Sequence, residues 1–84
     1  MRIDKYLKVA RVIKRRTIAK DILDLDFITI NGRVAKPSSE VKIDDILVLT
    51  LGERKLTIKI KAINAYSKKE QSSEMFEILE DANV

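Results

Sequence analysis

Ile3, Tyr6, Leu7, Ala10 and Ile13 recur at the spacing of one helix face, while Arg2, Lys5, Lys8, Arg11 and Arg15 fall largely elsewhere. The pattern predicts an amphipathic helix over residues 3–13. Lys14, Arg15 and Arg16 then interrupt it. Thr17 is placed to N-cap a second helix that turns Ile18, Ala19, Ile22, Leu23 and Leu25 inward. Helices this short are marginal in water, so both must dock on an apolar surface supplied by the rest of the chain.

A small sheet meets that need. Phe27 to Val34 reads as strand, turn, strand around Asn31-Gly32, a pair suited to a type I′ turn because both central positions need positive φ. Pro37, Ser38 and Ser39 mark a loop, and Asp44-Asp45 a turn before the apolar strand Ile46 to Leu51. After a turn over Gly52 to Lys55, Leu56, Ile58 and Ile60 alternate with Thr57, Lys59 and Lys61, a strand with one wet face. Ser67 followed by Glu70 fits a capping box, predicting a helix over Lys68 to Met75; Phe76 to Leu79 then adds a strand or continues that helix, and the chain frays at Asn83 and Val84. The expected fold class is α+β: two N-terminal helices packed on a small, mostly antiparallel sheet, with a short C-terminal helix or strand. Residues 1–63 are expected to form the domain and 64–84 an extension.

Composition narrows the chemistry. The 84 residues include no Cys and no His, which removes disulfides, thiolate nucleophiles, imidazole acid–base work and nearly every zinc or haem site. No apolar run reaches the roughly 20 residues of a membrane span, and the first residues are too charged for a signal peptide. A cytoplasmic protein without a membrane partner, a cofactor or a metal is expected. The net charge is +4, but it is unevenly distributed. Residues 1–20 hold eight basic side chains against Asp4 alone, whereas the remainder holds nine basic and twelve acidic ones. Such a localised positive field concentrates a polyanion.

No catalytic constellation emerges. Without His, the hydroxyls of Thr17, Ser38 and Ser39 have no evident activating base, and Asp24 with Asp26, or Asp44 with Asp45, read as helix-end and turn residues. Gly32 and Gly52 lack a phosphate-loop context. The basic corner is the candidate site: guanidinium forks bind phosphate bidentately, and Arg2, Lys5, Lys14, Arg15, Arg16 and Lys20 can straddle successive phosphates. Arg11 and Thr17 belong to the same stretch, Lys36 extends it, and the exposed Asn31-Gly32 turn adds a second contact with RNA backbone. A helix-turn-helix DNA reader would put Asp21, Asp24 and Asp26 of the second helix against phosphates, which is the wrong sign. Readout of shape and backbone favours structured RNA, and four scattered aromatics give no stacking platform.

Arg2-Ile3-Asp4-Lys5-Tyr6-Leu7, then Ile13 to Lys20, then Ile28-Thr29-Ile30-Asn31-Gly32 resemble the RNA-binding domain first seen in small-subunit ribosomal protein four, the S-four domain, over residues 1–50. The resemblance implies the fold above, built around an alpha-L RNA-binding motif. Lys36-Pro37-Ser38-Ser39 and the ending Lys68 to Leu79 resemble stand-alone bacterial members acting in ribosome-associated quality control, related to the small heat-shock branch. By that resemblance the chain is a monomeric, non-enzymatic factor. It would bind large ribosomal subunits obstructed by peptidyl-tRNA, contact large-subunit ribosomal RNA and tRNA, and support alanine tailing by an NEMF-family quality-control factor. Arg2 and Arg16 are the leading RNA contacts, and Asp4 is expected to orient a neighbouring Arg. Asp26 stands where the family usually has Gly. The alternatives are a general heat-shock-type recycling factor and the RNA-binding module of a pseudouridine synthase-like enzyme.

Overall fold

The computed structural model describes residues 1–64 and 74–83. Helices α1 (Ile3–Val9) and α2 (Arg16–Asp24) precede β1 (Ile28–Ile30), β2 (Arg33–Val34), β3 (Ile46–Leu51), β4 (Arg54–Ile60) and β5 (Phe76–Asn83). The five strands form one sheet in the order β2-β1-β3-β4-β5, every neighbouring pair antiparallel.

Strand alternation selects the buried face. Leu47 pairs with Ile58, and Leu49 pairs with both Leu56 and Ile28, so all five are buried together on one side, with Ile60 beside them. Val48 and Thr57 face the other way with Thr29. Onto the apolar face pack Ile3, Tyr6, Leu7, Ala10 and Ile13 from the first predicted helix region, Ala19 and Leu23 from α2, and Met75. Each fully buried Leu or Ile contributes about 1.5–3 kcal/mol by leaving water. Truncating a central one such as Leu47 to Ala costs about 2–5 kcal/mol.

Both helix ends follow from backbone geometry. Arg11 has φ 59°, its N–H bonds the Lys8 carbonyl, and the Val12 N–H reaches back to Leu7. That is a Schellman stop with Arg in the left-handed position, where Gly is usual. The helix therefore ends at Val9 rather than running to Ile13, although Ile13 stays in the core. At the end of α2, Asp26 has φ 63°, its N–H bonds Leu23, and the Phe27 N–H bonds Ile22. The same motif recurs, with Asp adopting the conformation that makes Gly common there.

Other expectations change. Arg15, not Thr17, is the N-cap of α2, and Thr17 lies inside its first turn. Ile18 and Leu25 do not point inward but are 45% and 61% exposed, because Ala19 and Leu23 occupy the core-facing stripe. Asn31 and Gly32 have φ 50° and 85°, as the type I′ hairpin requires, but Phe27 lies outside β1 and is exposed. The next hairpin turns on Gly52-Glu53, with Leu51 paired to Arg54 at the start of β4. Of the predicted helix over Lys68 to Met75, Glu74 and Met75 are not helical and the rest lies outside the described residues. Phe76 opens a strand, and Asn83 pairs with Arg54 instead of fraying; Val84 lies outside the described residues.

A crossing segment decides where the N-terminus sits. Between β2 and β3 the chain runs past the start of α1, and the Ile3 and Asp4 N–H groups bond the carbonyls of Ser39 (2.7 Å) and Pro37 (3.4 Å). Val41 N–H returns to the Met1 carbonyl at 3.0 Å, and the Met1 ammonium meets Glu40 Oε2 at 2.8 Å. Tyr6 ties the same helix to the C-terminal side, its hydroxyl donating to the Met75 carbonyl at 2.7 Å. Burial pushes that phenol well above its ordinary value of 10.0.

Candidate nucleic-acid interface

Asp4 is 2% exposed, an unusual setting for a carboxylate, and is fully engaged. Its Oδ1 accepts from the Lys5 N–H at 2.8 Å, and its Oδ2 lies 3.2 Å from Arg2 Nη2 and 3.4 Å from Arg16 Nε, with Arg16 Nη2 at 3.5 Å from Oδ1. One buried carboxylate thus holds guanidiniums from both helices. Arg2 is the N-cap of α1, and Arg16 is the first residue of α2. The Pro37 and Ser39 carbonyls fix the first of these positions and the Arg11 stop sets the second.

The pairing is loose enough to leave work for the arginines. Charge-assisted N···O contacts usually close to about 2.7–2.9 Å. Here they are longer, both guanidiniums are 46% exposed, and each carries five N–H donors of which the carboxylate uses few. Arg11, Lys14 and Arg15 are exposed on the segment between the helices, Lys20 is exposed on α2, and Lys5 is half-buried on α1. The first turn of α2 contains no acidic residue, its N-cap makes no side-chain hydrogen bond, and the positive end of the helix dipole adds to the same field. Thr17 is exposed in that turn. The arrangement is a set of fixed cations around one ordered pair, chemically suited to bridging phosphate oxygens.

Three expected site residues lie elsewhere or are otherwise occupied. The Lys36 ammonium is ion-paired with Asp26, just past the end of α2 opposite Arg16. Asn31, itself exposed, commits its side chain to two bonds within the chain: Nδ2 donates to Asp45 Oδ1 at 3.0 Å, and Oδ1 accepts from the Ile46 N–H at 2.9 Å. Gly32 presents open turn backbone with nothing within 4 Å of a hypothetical Cβ. Sequence reasoning missed the crossing segment whose Pro37 and Ser39 carbonyls position Arg2 and Asp4. Those contacts join residues more than thirty positions apart, and no local pattern signals them.

The family profile described as S4 domain matches residues 1–47. A curated relative from Listeria innocua named "RQC P-site tRNA stabilizing factor" is 48% identical over 81 residues, covering 96% of this chain and 88% of its own length. One of the same name from Bacillus subtilis is 44% identical over 84 residues, covering 100% and 98%. Among solved structures, a trimeric Heat Shock Protein 15 from Vibrio cholerae superposes with a TM-score of 0.85 at 29% identity, covering 93% of this chain and 80% of that one.

Proposed function

The chain belongs to the S4 domain family, and on that premise we propose that it is a non-enzymatic RNA-binding factor of ribosome-associated quality control. It binds large ribosomal subunits obstructed by peptidyl-tRNA, contacts both ribosomal RNA and tRNA, and supports alanine tailing by an NEMF-family factor. The observation that carries the RNA-binding reading is the Asp4-centred pair: two half-exposed guanidiniums from different helices, ordered in advance beside the helix corner. Full-length similarity to proteins named as P-site tRNA stabilizing factors supports the quality-control setting. Arg2 and Arg16 make the principal phosphate contacts, with Lys5, Arg11, Lys14, Arg15, Thr17 and Lys20 around them. Lys36 contributes once it exchanges Asp26 for phosphate, and Asn31 and Gly32 offer backbone contacts only.

We read the active form as a monomer in the cytoplasm. The long sheet edge β5 carries Glu77, Glu80 and Asp81 and is irregular where Thr57 gives way to Ile58, features that discourage strand-to-strand self-pairing. No described helix is long and apolar enough to cross a membrane. A heat-shock-type recycling role is the second reading, favoured by the 0.85 TM-score to Heat Shock Protein 15.

Co-sedimentation with purified large subunits, empty or carrying peptidyl-tRNA, tests the proposal. Preference for loaded subunits, lost in Arg16→Ala, is the expected result. Equal binding to both would reduce the protein to a general recycling or RNA-binding factor, and binding to neither would remove the ribosome from its function.

A further inference from the structure

A crevice of about 520 Å³ opens beside the β1–β2 hairpin, with Ile30, Asn31, Arg33 and Val34 on one side and Ala35 and Ser39 on the other. Small-ligand sites run to roughly 300–1,000 Å³, so one nucleotide fits. Strand register explains the floor. Ile30 pairs with Leu47 on one neighbouring strand and with Arg33 on the other, and paired residues share a face. Leu47 is in the core, so Ile30 and Arg33 carry the helix side of the sheet out to its free β2 edge. There Ile30 packs against the core and Arg33 emerges into solvent. The opposite wall is fixed by three bonds. The Ser39 N–H donates to the Lys36 carbonyl at 2.9 Å, its Oγ accepts from the Lys36 N–H at 2.9 Å, and its carbonyl accepts from the Ile3 N–H at 2.7 Å. The same turn therefore walls the crevice and seats the start of α1, and Arg2 with it. Two donors face this space unspent. Among the described residues the Arg33 guanidinium has no ion-pair or hydrogen-bond partner, and the Ser39 hydroxyl accepts a bond but donates none. Neighbouring carboxylates are committed: Glu40 to the Met1 ammonium, Asp45 to Asn31 and the Lys42 N–H, and Asp26 to Lys36.

We propose that this crevice receives one unpaired nucleotide of the bound RNA. The base rests on the apolar floor of Ile30 and Ala35, Arg33 takes the phosphate, and the Ser39 hydroxyl donates to an oxygen of the base or ribose. The open Gly32 turn, with nothing within 4 Å of a hypothetical Cβ, lets the RNA backbone come close. Phosphate contacts at the basic corner position RNA without selecting it, whereas unstacked bases in loops, bulges and ends are what proteins read. The crevice thus adds selection for an extruded base to the attraction of the corner. An acidic peptide would also satisfy Arg33, but the shared turn beneath Arg2 makes the crevice continuous with the surface that attracts a polyanion. The proposal rests on the RNA-binding reading and deepens it.

The test is titration of the full chain against synthetic RNA stem-loops that share one stem: fully paired, with a single bulged adenosine or uridine, and with that bulge made abasic. Fluorescence anisotropy should show at least one bulged form binding about fivefold or more tighter than the paired and abasic forms. Arg33→Ala should remove that preference, keep affinity for the paired stem within about twofold and leave the thermal midpoint unchanged. Arg16→Ala should instead weaken all forms alike. No binding of any stem-loop would bring down the RNA-binding reading and the crevice with it. The crevice alone is overturned if no bulge is preferred, if the abasic bulge binds as well as a base, or if Arg33→Ala weakens all forms equally. It is overturned too if free AMP saturates the amide shifts of Ile30, Arg33 and Ser39 while a bulge leaves them unmoved, or if an acidic Leu/Glu peptide moves them and RNA does not.

Discussion

Replacing Asp4 by Asn separates charge from order at the basic corner. The substitution is nearly isosteric and raises the net charge from +4 to +5, so simple polyanion attraction predicts tighter RNA binding. The structure predicts the opposite. Asp4 holds Arg2 and Arg16 in one place, and immobilising a long side chain on binding costs about 0.5–1.5 kcal/mol. Two preordered arginines therefore save about 1–3 kcal/mol, or about 5- to 150-fold in Kd. The contacts run from 3.2 to 3.5 Å and both guanidiniums are 46% exposed, which places the effect at the low end, about five- to tenfold. Loss of charge-assisted contacts to a buried carboxylate also costs stability, about 1 kcal/mol after solvent screening and hence roughly 4–8 °C in Tm for a domain of this size. The assay is large-subunit binding across a salt series. The parent should show a slope of log K against log salt of about −3 to −5 if four to six phosphates are neutralised. Asp4→Asn should shift the line down without flattening it, because the cations remain. A line shifted upward would refute preorganisation and leave the corner a simple pool of charge.

The remaining predictions concern the fold that carries the corner. Tyr6 is neutral in the folded state to a higher pH than in the unfolded chain, so its contribution is complete below the unfolded value of 10.0 and is lost as pH rises beyond it. Tyr6→Phe should cost about 1–2 kcal/mol at neutral pH through the lost bond to Met75 and should flatten the alkaline fall in stability, as followed by chemical denaturation. Hydrogen bonding from Arg54 holds the Asp81 carboxyl below its ordinary 3.8, so the β4–β5 tie is present above that pH and weakens as pH falls through the lower folded value. Amide exchange in β5 at acidic pH should rise less steeply in Asp81→Asn, which lacks the titrating group. Asp26→Gly should relieve left-handed strain at the end of α2 and leave thermal stability equal or up to about 1 kcal/mol higher, while freeing Lys36 and strengthening RNA binding. Weaker RNA binding would show that the Lys36–Asp26 pair itself contributes to the interface.

Short-range signals were the ones written plainly in the chain. The Asn31-Gly32 hairpin, the β3 apolar run and the alternation of β4 each follow from the conformational needs of two to seven consecutive residues, and the uneven charge located the basic corner without any fold. The resemblance over residues 1–50 supplied the expectation that Asp4 orients an arginine, and the geometry extends it to two. Tertiary structure alone decided the rest. The stop at Arg11 could not be read from composition, because a left-handed Arg is affordable only where packing of Ile13 rewards the bend. The competition between Ile18 and Ala19 for the core face of α2 depended on which stripe meets the sheet. Asn31 was spent on Asp45 and Ile46, and Lys36 on Asp26, by contacts ten to fifteen residues distant. Tyr6 found its partner sixty-nine residues away. Periodicity and turn chemistry act along the chain and so can be read from it; which buried carboxylate meets which guanidinium is set by packing, once the crossing segment fixes the start of α1.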